Sequence, residues 1–238
     1  MDLAHRLRRY ATCALHPVRG FRAWAAEAPE LGPSFGWMLL LRGGLACLSN
    51  LLLLQWLYRD YPMFKKVQGP MWQEILRRLP PDVTAQDIRA YLSGLPDLQP
   101  WGNIWPWMLL LGPLGIASAW LHNAVWDHGC LWMLGGVKRT GSWRITFVAE
   151  AAAMQVGAVG AALGFLRFIP GAGPLLTPVL AALGAYFWVM RGLSLAAFHG
   201  APMWKGAVAT LLHAVIAFLC ICGMLGLSWL IVIQSVAY

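Results

Sequence analysis

The chain alternates long apolar runs with short polar breaks, and the length of each run limits what it can form. About 20 apolar residues, rising about 1.5 Å each as a helix, cross a membrane core of about 30 Å. Five runs meet that length, at about 35–58, 104–134, 143–168, 173–197 and 205–235. The last four are joined by short Gly- and Pro-containing connections at 135–142, 169–172 and 199–202. The pattern predicts an all-α polytopic membrane protein, a bundle of five transmembrane helices. No internal repeat is visible, so the inverted-repeat transporter plan has no sequence support.

Two stretches break this rhythm. Residues 1–34 are basic and amphipathic. Pro17 suits the first turn of a helix, and Phe21, Trp24 and Ala25 fall on one face of it, which predicts a cytoplasmic helix lying at the membrane interface. Residues 59–103 hold eleven charged side chains. There Pro70 opens one short helix, and Thr84 with Asp87 forms a capping box that opens another over about 85–94. Ile75, Leu79, Ile88 and Leu92 give the pair an apolar side. The organisation expected is an N-terminal segment at 1–34, a first span at 35–58, a helical extramembrane lid at 59–103 and a four-span region at 104–238.

Composition agrees with this reading. Of 238 residues, 59% are hydrophobic and only 12% charged, about half the charge density of a soluble domain. Mean hydropathy is +0.58, which excludes a disordered chain. The formal net charge is +8. In this setting the basic residues flank spans and meet lipid headgroups rather than nucleic acid. Ten of the 18 Lys and Arg fall on one side and seven on the other. That bias puts the N-terminus in the cytoplasm, with the C-terminus and the 59–103 loop opposite. No signal peptide is apparent, and the five cysteines read as free thiols.

Ionisable groups inside spans are costly, so each needs a partner or a task. Arg42 sits about seven residues into span one, Asp127 about seven before the inner end of span two, and Glu150 about seven into span three. Each is therefore about 10 Å deep. This shared depth predicts a buried polar cluster of Arg42, Asp127, His128 and Glu150, with Asn123 four residues before Asp127 and Arg191 approaching from span four. It is open to two uses, a structural ion pair or a charged site for an ion, proton or lipid headgroup. His122, Gln155 and His213 are candidates for a pathway to it. His122 and His128 diverge by about 120° around a helix, so a metal site is not expected, and no cofactor is implied. No HExxH, GxSxG or Walker A motif appears, and no enzyme is expected. Span three is rich in Ala and Gly, with Gly160 and Gly164 as a GxxxG pair, and should sit centrally in the bundle.

The order of features resembles the Yip (Ypt-interacting protein) domain family in its bacterial form. His16, Pro17 and Phe21 precede span one. His128, Gly135 and Gly136 close span two, and Thr146 and Phe147 enter span three. Pro170, Gly171 and Gly173 follow it, and Gly192, His199 and Lys205-Gly206-Ala207 frame the last turn. The resemblance covers about 120–215 and, more loosely, 10–60; Glu150 departs from it, standing where the family has an aromatic residue. It implies five spans, a cytosolic N-terminus and a non-enzymatic role in organising membrane. Its expected partners are membrane lipids, another membrane protein or a second copy of the chain. The alternative reading is transport of an ion, proton or lipid through the polar cluster.

Overall fold

A computed structural model describes residues 3–68, 70–78, 84–138, 142–169 and 173–236, without side chains at 3, 70, 71, 173–175 and 225–236. Every regular element among them is helical. Five helical stretches are long and apolar enough to cross a membrane: Leu31–Lys65, Trp101–Met133, Ser142–Phe168, Leu176–His199 and Met203–Met224. The chain divides into two compact units, Met1–Gly43 with Gly115–Tyr238, and Gly44–Leu114.

The larger unit begins with α1 (Leu3–Leu15), α2 (Pro17–Ala26) and α3 (Leu31–Met38), followed by a π-helical turn at Leu39–Gly43. It continues with the second part of α7 (Trp101–Met133), α8 (Ser142–Val156), α9 (Ala158–Leu163), a 3-10 turn at Gly164–Phe168, α10 (Gly173–His199) and α11 (Met203–Val236). Helix α10 packs against α2, α8 and α11, and α8 also meets α3. Helix α8 is central, as its small residues predict: Ala149, Ala151 and Ala152 are fully buried. Alanines let neighbouring backbones approach closely where lipid supplies no hydrophobic drive. Closer still are α10 and α11 at Gly192 and Gly206. A Cβ on Gly192 would lie 2.6 Å from Gly206 O, and one on Gly206 would overlap Gly192 O.

The N-terminal segment departs from expectation. It forms two helices, and its apolar face does not lie on lipid. Phe21 is 0% and Trp24 3% exposed. The rings of Phe21 and Trp24 stack, and Trp24 meets Phe198 of α10 edge-on. An apolar stripe satisfies protein as readily as lipid, and here protein covers it.

Span three also differs, because its helix is interrupted at Gly157 and ends in the 3-10 turn. The GxxxG pair is not a paired contact. A Cβ on Gly160 would run into the ring of Phe187, whereas one on Gly164 would meet nothing within 4 Å.

The smaller unit holds α4 (Gly44–Lys65), α5 (Pro70–Arg78), α6 (Ala85–Ser93) and the start of α7. The expected boundary at residue 58 moves outward, since α4 continues unbroken to Lys65, and the boundary at 103 moves to Trp101. Val67, Trp72 and Leu92 form a small core with Phe64, Leu76, Ile88 and Leu95. Ile75, expected on the apolar side, is exposed, and Leu79 lies outside the described residues. The capping box is present: Asp87 N–H donates to Thr84 Oγ1 at 3.2 Å, and Thr84 N–H to Asp87 Oδ2 at 2.8 Å. Lys65 Nζ donates to Leu95 O at 2.9 Å and Asp97 Oδ1 at 2.8 Å, tying the loop after α6 to the end of α4.

Candidate functional site

Four helices of the larger unit contribute to one buried polar cluster. Arg191 of α10 donates from Nη2 to Asp127 Oδ2 of α7 at 2.6 Å, and from Nε to Glu150 Oε2 of α8 at 3.3 Å. His213 of α11 meets Asp127 Oδ1 with Nδ1 at 2.6 Å. Asp127 and Glu150 are 0% exposed, so water does not reach either carboxylate. Glu150 Oε1 has no hydrogen-bond partner. A second step leads outward, where His213 Nε2 lies 3.3 Å from His122 Nε2. With Asp127 accepting from Nδ1–H, the second nitrogen of His213 is left to face His122, and one of the two rings supplies the proton between them. His122 itself is exposed. Two carboxylates face one guanidinium, so the cluster is neutral only when it holds one further proton.

The shared depth of Asp127 and Glu150 therefore brings them together, but their cation is Arg191. Arg42 is elsewhere. The π turn at Leu39–Gly43 carries it, and its Nη1 donates to Gly157 O at 3.1 Å, beside the interruption between α8 and α9. That carbonyl already accepts Ala161 N–H at 3.1 Å. Arg42 Nε is buried without a partner. Asn123 forms no part of the ion-pair network. It lines a cavity of about 370 Å³ together with Arg42, Arg191, Arg167 and apolar side chains of α8, α9 and α10.

His128 also leaves the expected cluster. Its Nδ1 lies 2.7 Å from Thr146 Oγ1, and His199 Nε2 reaches the same hydroxyl at 2.8 Å. The hydroxyl is 3.1 Å from Ser142 O, and Lys138 N–H donates to His199 Nδ1 at 3.2 Å. The last bond fixes the tautomer: His199 accepts at Nδ1 and so donates from Nε2 to Thr146. Thr146 is the centre of this network, and the count of ionisable groups alone passes over it. Its signal is its place in α8, one helical turn before Glu150 on the same face.

Several residues that carry the resemblance surround this second network. Gly135 has φ +64, a conformation glycine adopts without strain, and its carbonyl accepts Lys205 Nζ at 3.2 Å. Gly136 packs on Leu131 with no room for a Cβ. Gly173 opens α10, while Pro170 and Gly171 lie outside the described residues.

Gln155 is not on a pathway. Tyr10 donates to its Oε1 at 2.7 Å, and its Nε2 donates to Ser34 O at 2.8 Å. It fastens α1 and α3 to α8. Beside Tyr10, burial pushes the Cys13 thiol up to about 12, against the opposing pull of Arg9. Among the described residues no three His, Cys, Asp or Glu side chains are arranged to hold a metal ion.

The structure thus defines an all-helical protein with five helices fit to span a membrane and a charged cluster inside the bundle. Compared with protein-family models, curated proteins and solved structures, the chain matches none.

Proposed function

We propose that this is a non-enzymatic integral membrane protein of the Yip type, which organises membrane by binding lipid within and around its bundle. The observation that carries the reading is the contrast between the cluster and the cavity. Asp127 and Glu150 are sealed and held by Arg191, as a structural clamp requires, while the cavity beside them has apolar walls and arginine ends. That combination suits an amphiphile better than a hydrated ion path.

One end of the bundle supports a cytoplasmic N-terminus. Trp24 meets Phe198, Lys138 N–H meets His199, and Lys205 meets Gly135, so the basic α1–α2 segment shares that end with Lys138 and Lys205. Concentration of positive charge at one end is what orients membrane proteins.

A second reading, proton transport, is favoured by the chain from exposed His122 through His213 to Asp127. Proteoliposomes separate the two. The expected result is proton flux, ion leak and lipid scrambling equal to empty liposomes for the parent, Asp127→Asn and Glu150→Gln. Flux above that level that falls in Asp127→Asn or His213→Ala would replace the first reading with the second.

A further inference from the structure

We infer that the cavity bounded by Arg42 and Arg191 is a binding site for a monoanionic phospholipid, with the phosphodiester against Arg42. The inference rests on the lipid-binding reading above and names the ligand class.

Among the described residues, the wall of this cavity presents Arg42, Arg167 and Arg191 and no carboxylate. Asp127 and Glu150 stand behind Arg191 and are fully buried. The charged groups a ligand entering would meet there are therefore guanidiniums, with the Asn123 amide beside them. Arg191 is satisfied by its two carboxylates, but Arg42 is not. Among the described residues it has one hydrogen bond, to a carbonyl that is already occupied, and its buried Nε has none. A guanidinium within a span is expensive unless paired, and no carboxylate is bound to this one among the described residues. A phosphodiester in the cavity supplies the missing counter-charge, and the guanidinium is the group best suited to hold it.

Backbone geometry at the same place points the same way. Arg42 rides on a π turn, and its partner Gly157 interrupts the α8–α9 helix. Such turns cluster at functional sites because they re-aim a side chain at a helical cost. Leu180, Leu183 and Phe187 also line the cavity and give it an apolar wall. A free inorganic anion has no use for that apolar length, whereas acyl chains do.

The test uses the purified full chain in a neutral detergent. Phosphatidylglycerol, phosphatidylcholine and inorganic phosphate are titrated separately, with retention read by native mass spectrometry and stability by thermal unfolding. Phosphatidylglycerol should be retained and stabilising, with phosphatidylcholine at least about tenfold weaker. Arg42→Gln should lose about tenfold in affinity for phosphatidylglycerol, and Arg42→Lys less. Gly184→Leu is the control for folding. A Cβ there meets nothing within 4 Å, and the residue lines the cavity, so leucine narrows it with both arginines in place. It too should lose phosphatidylglycerol.

Parent and all three variants binding the two lipids alike would overturn the inference while leaving the lipid-binding reading intact. Stabilisation by inorganic phosphate equal to that by phosphatidylglycerol would overturn the lipid as the ligand. Retention of neither lipid by the parent would overturn the broader reading as well.

Discussion

Asp127 and His128 are consecutive in α7, yet their side chains enter separate hydrogen-bond networks. Asp127 joins Arg191 and His213, whereas His128 joins Thr146 and, through it, His199. Successive residues point about 100° apart around a helix, so one turn of α7 serves two sets of neighbours. The two networks share no side chain. Asp127→Asn should cost about 3–5 kcal/mol, and Thr146→Val about 1 kcal/mol. The double variant should equal the summed effects within about 0.5 kcal/mol. Unfolding in detergent measures all three, and a larger coupling would mean that the networks communicate.

Within the ion-pair cluster the partners are unequal. Arg191 holds both carboxylates, while Glu150 is held by one 3.3 Å contact and leaves one oxygen unpartnered. Removing the shared cation strands two buried charges. Arg191→Met should therefore be the most destabilising change, Asp127→Asn next and Glu150→Gln least, in order of loss of Tm. Glu150→Gln ranking above Arg191→Met would show that the cluster is balanced by something other than Arg191.

The glycine contact between α10 and α11 makes a steric prediction. Gly206→Ala places a methyl on the Gly192 carbonyl. Backbone cannot yield as a side-chain tip does, so the cost should exceed the usual 1–3 kcal/mol of overpacking, at about 3 kcal/mol or more. Gly184→Ala, in open space on the same helix, should change stability by about 0.5 kcal/mol or less.

Cys13 provides a probe of the N-terminal helices. Its side chain is fully buried and burial pushes the thiol up to about 12, so almost no thiolate exists at pH 8. It should react with a maleimide far more slowly in the folded protein than after unfolding in denaturant. Phe21→Ala, expected to cost about 3–5 kcal/mol by leaving a cavity under α2, should expose Cys13 to the reagent. Equal rates in the parent would place α1 and α2 away from the bundle.

The small unit has an acid limit. Hydrogen bonds from the Thr84 hydroxyl and backbone hold Asp87 below the usual carboxylate range, and the hydrogen bond from Lys65 does the same for Asp97. A depressed carboxylate stabilises the fold above its unfolded value near pH 4, and that contribution is lost as pH falls through the lower folded value. Amide protection over 84–95 should therefore be constant from pH 6 to 5 and fall only once pH drops below the ordinary carboxylate range near 4. Thr84→Ala should move that loss to higher pH.

The spans and the depth of Asp127 and Glu150 were legible because both follow from counting residues along a helix axis. The identity of the cation was not. Depth says nothing about azimuth, and Arg42 and Arg191 were equally placed by depth until the π turn at Leu39–Gly43 directed Arg42 to Gly157. The split between Asp127 and His128 was readable in principle from the helical period. Tyr10 and Gln155 meet across 145 positions, and no local pattern announces such a pair. The stripe of Phe21 and Trp24 was visible, but an apolar face carries no mark of whether lipid or protein will cover it.

Where Gly192 lies on Gly206 there is no side chain left to slide, re-rotamerise or repack. Helices α10 and α11 are thus pinned like the two blades of a riveted shear, and any rearrangement of the bundle must carry them as one body. Because Arg191 sits immediately beside the rivet, a movement that opened the cavity would have to come from its other walls, the Leu39–Gly43 turn and the α8–α9 segment.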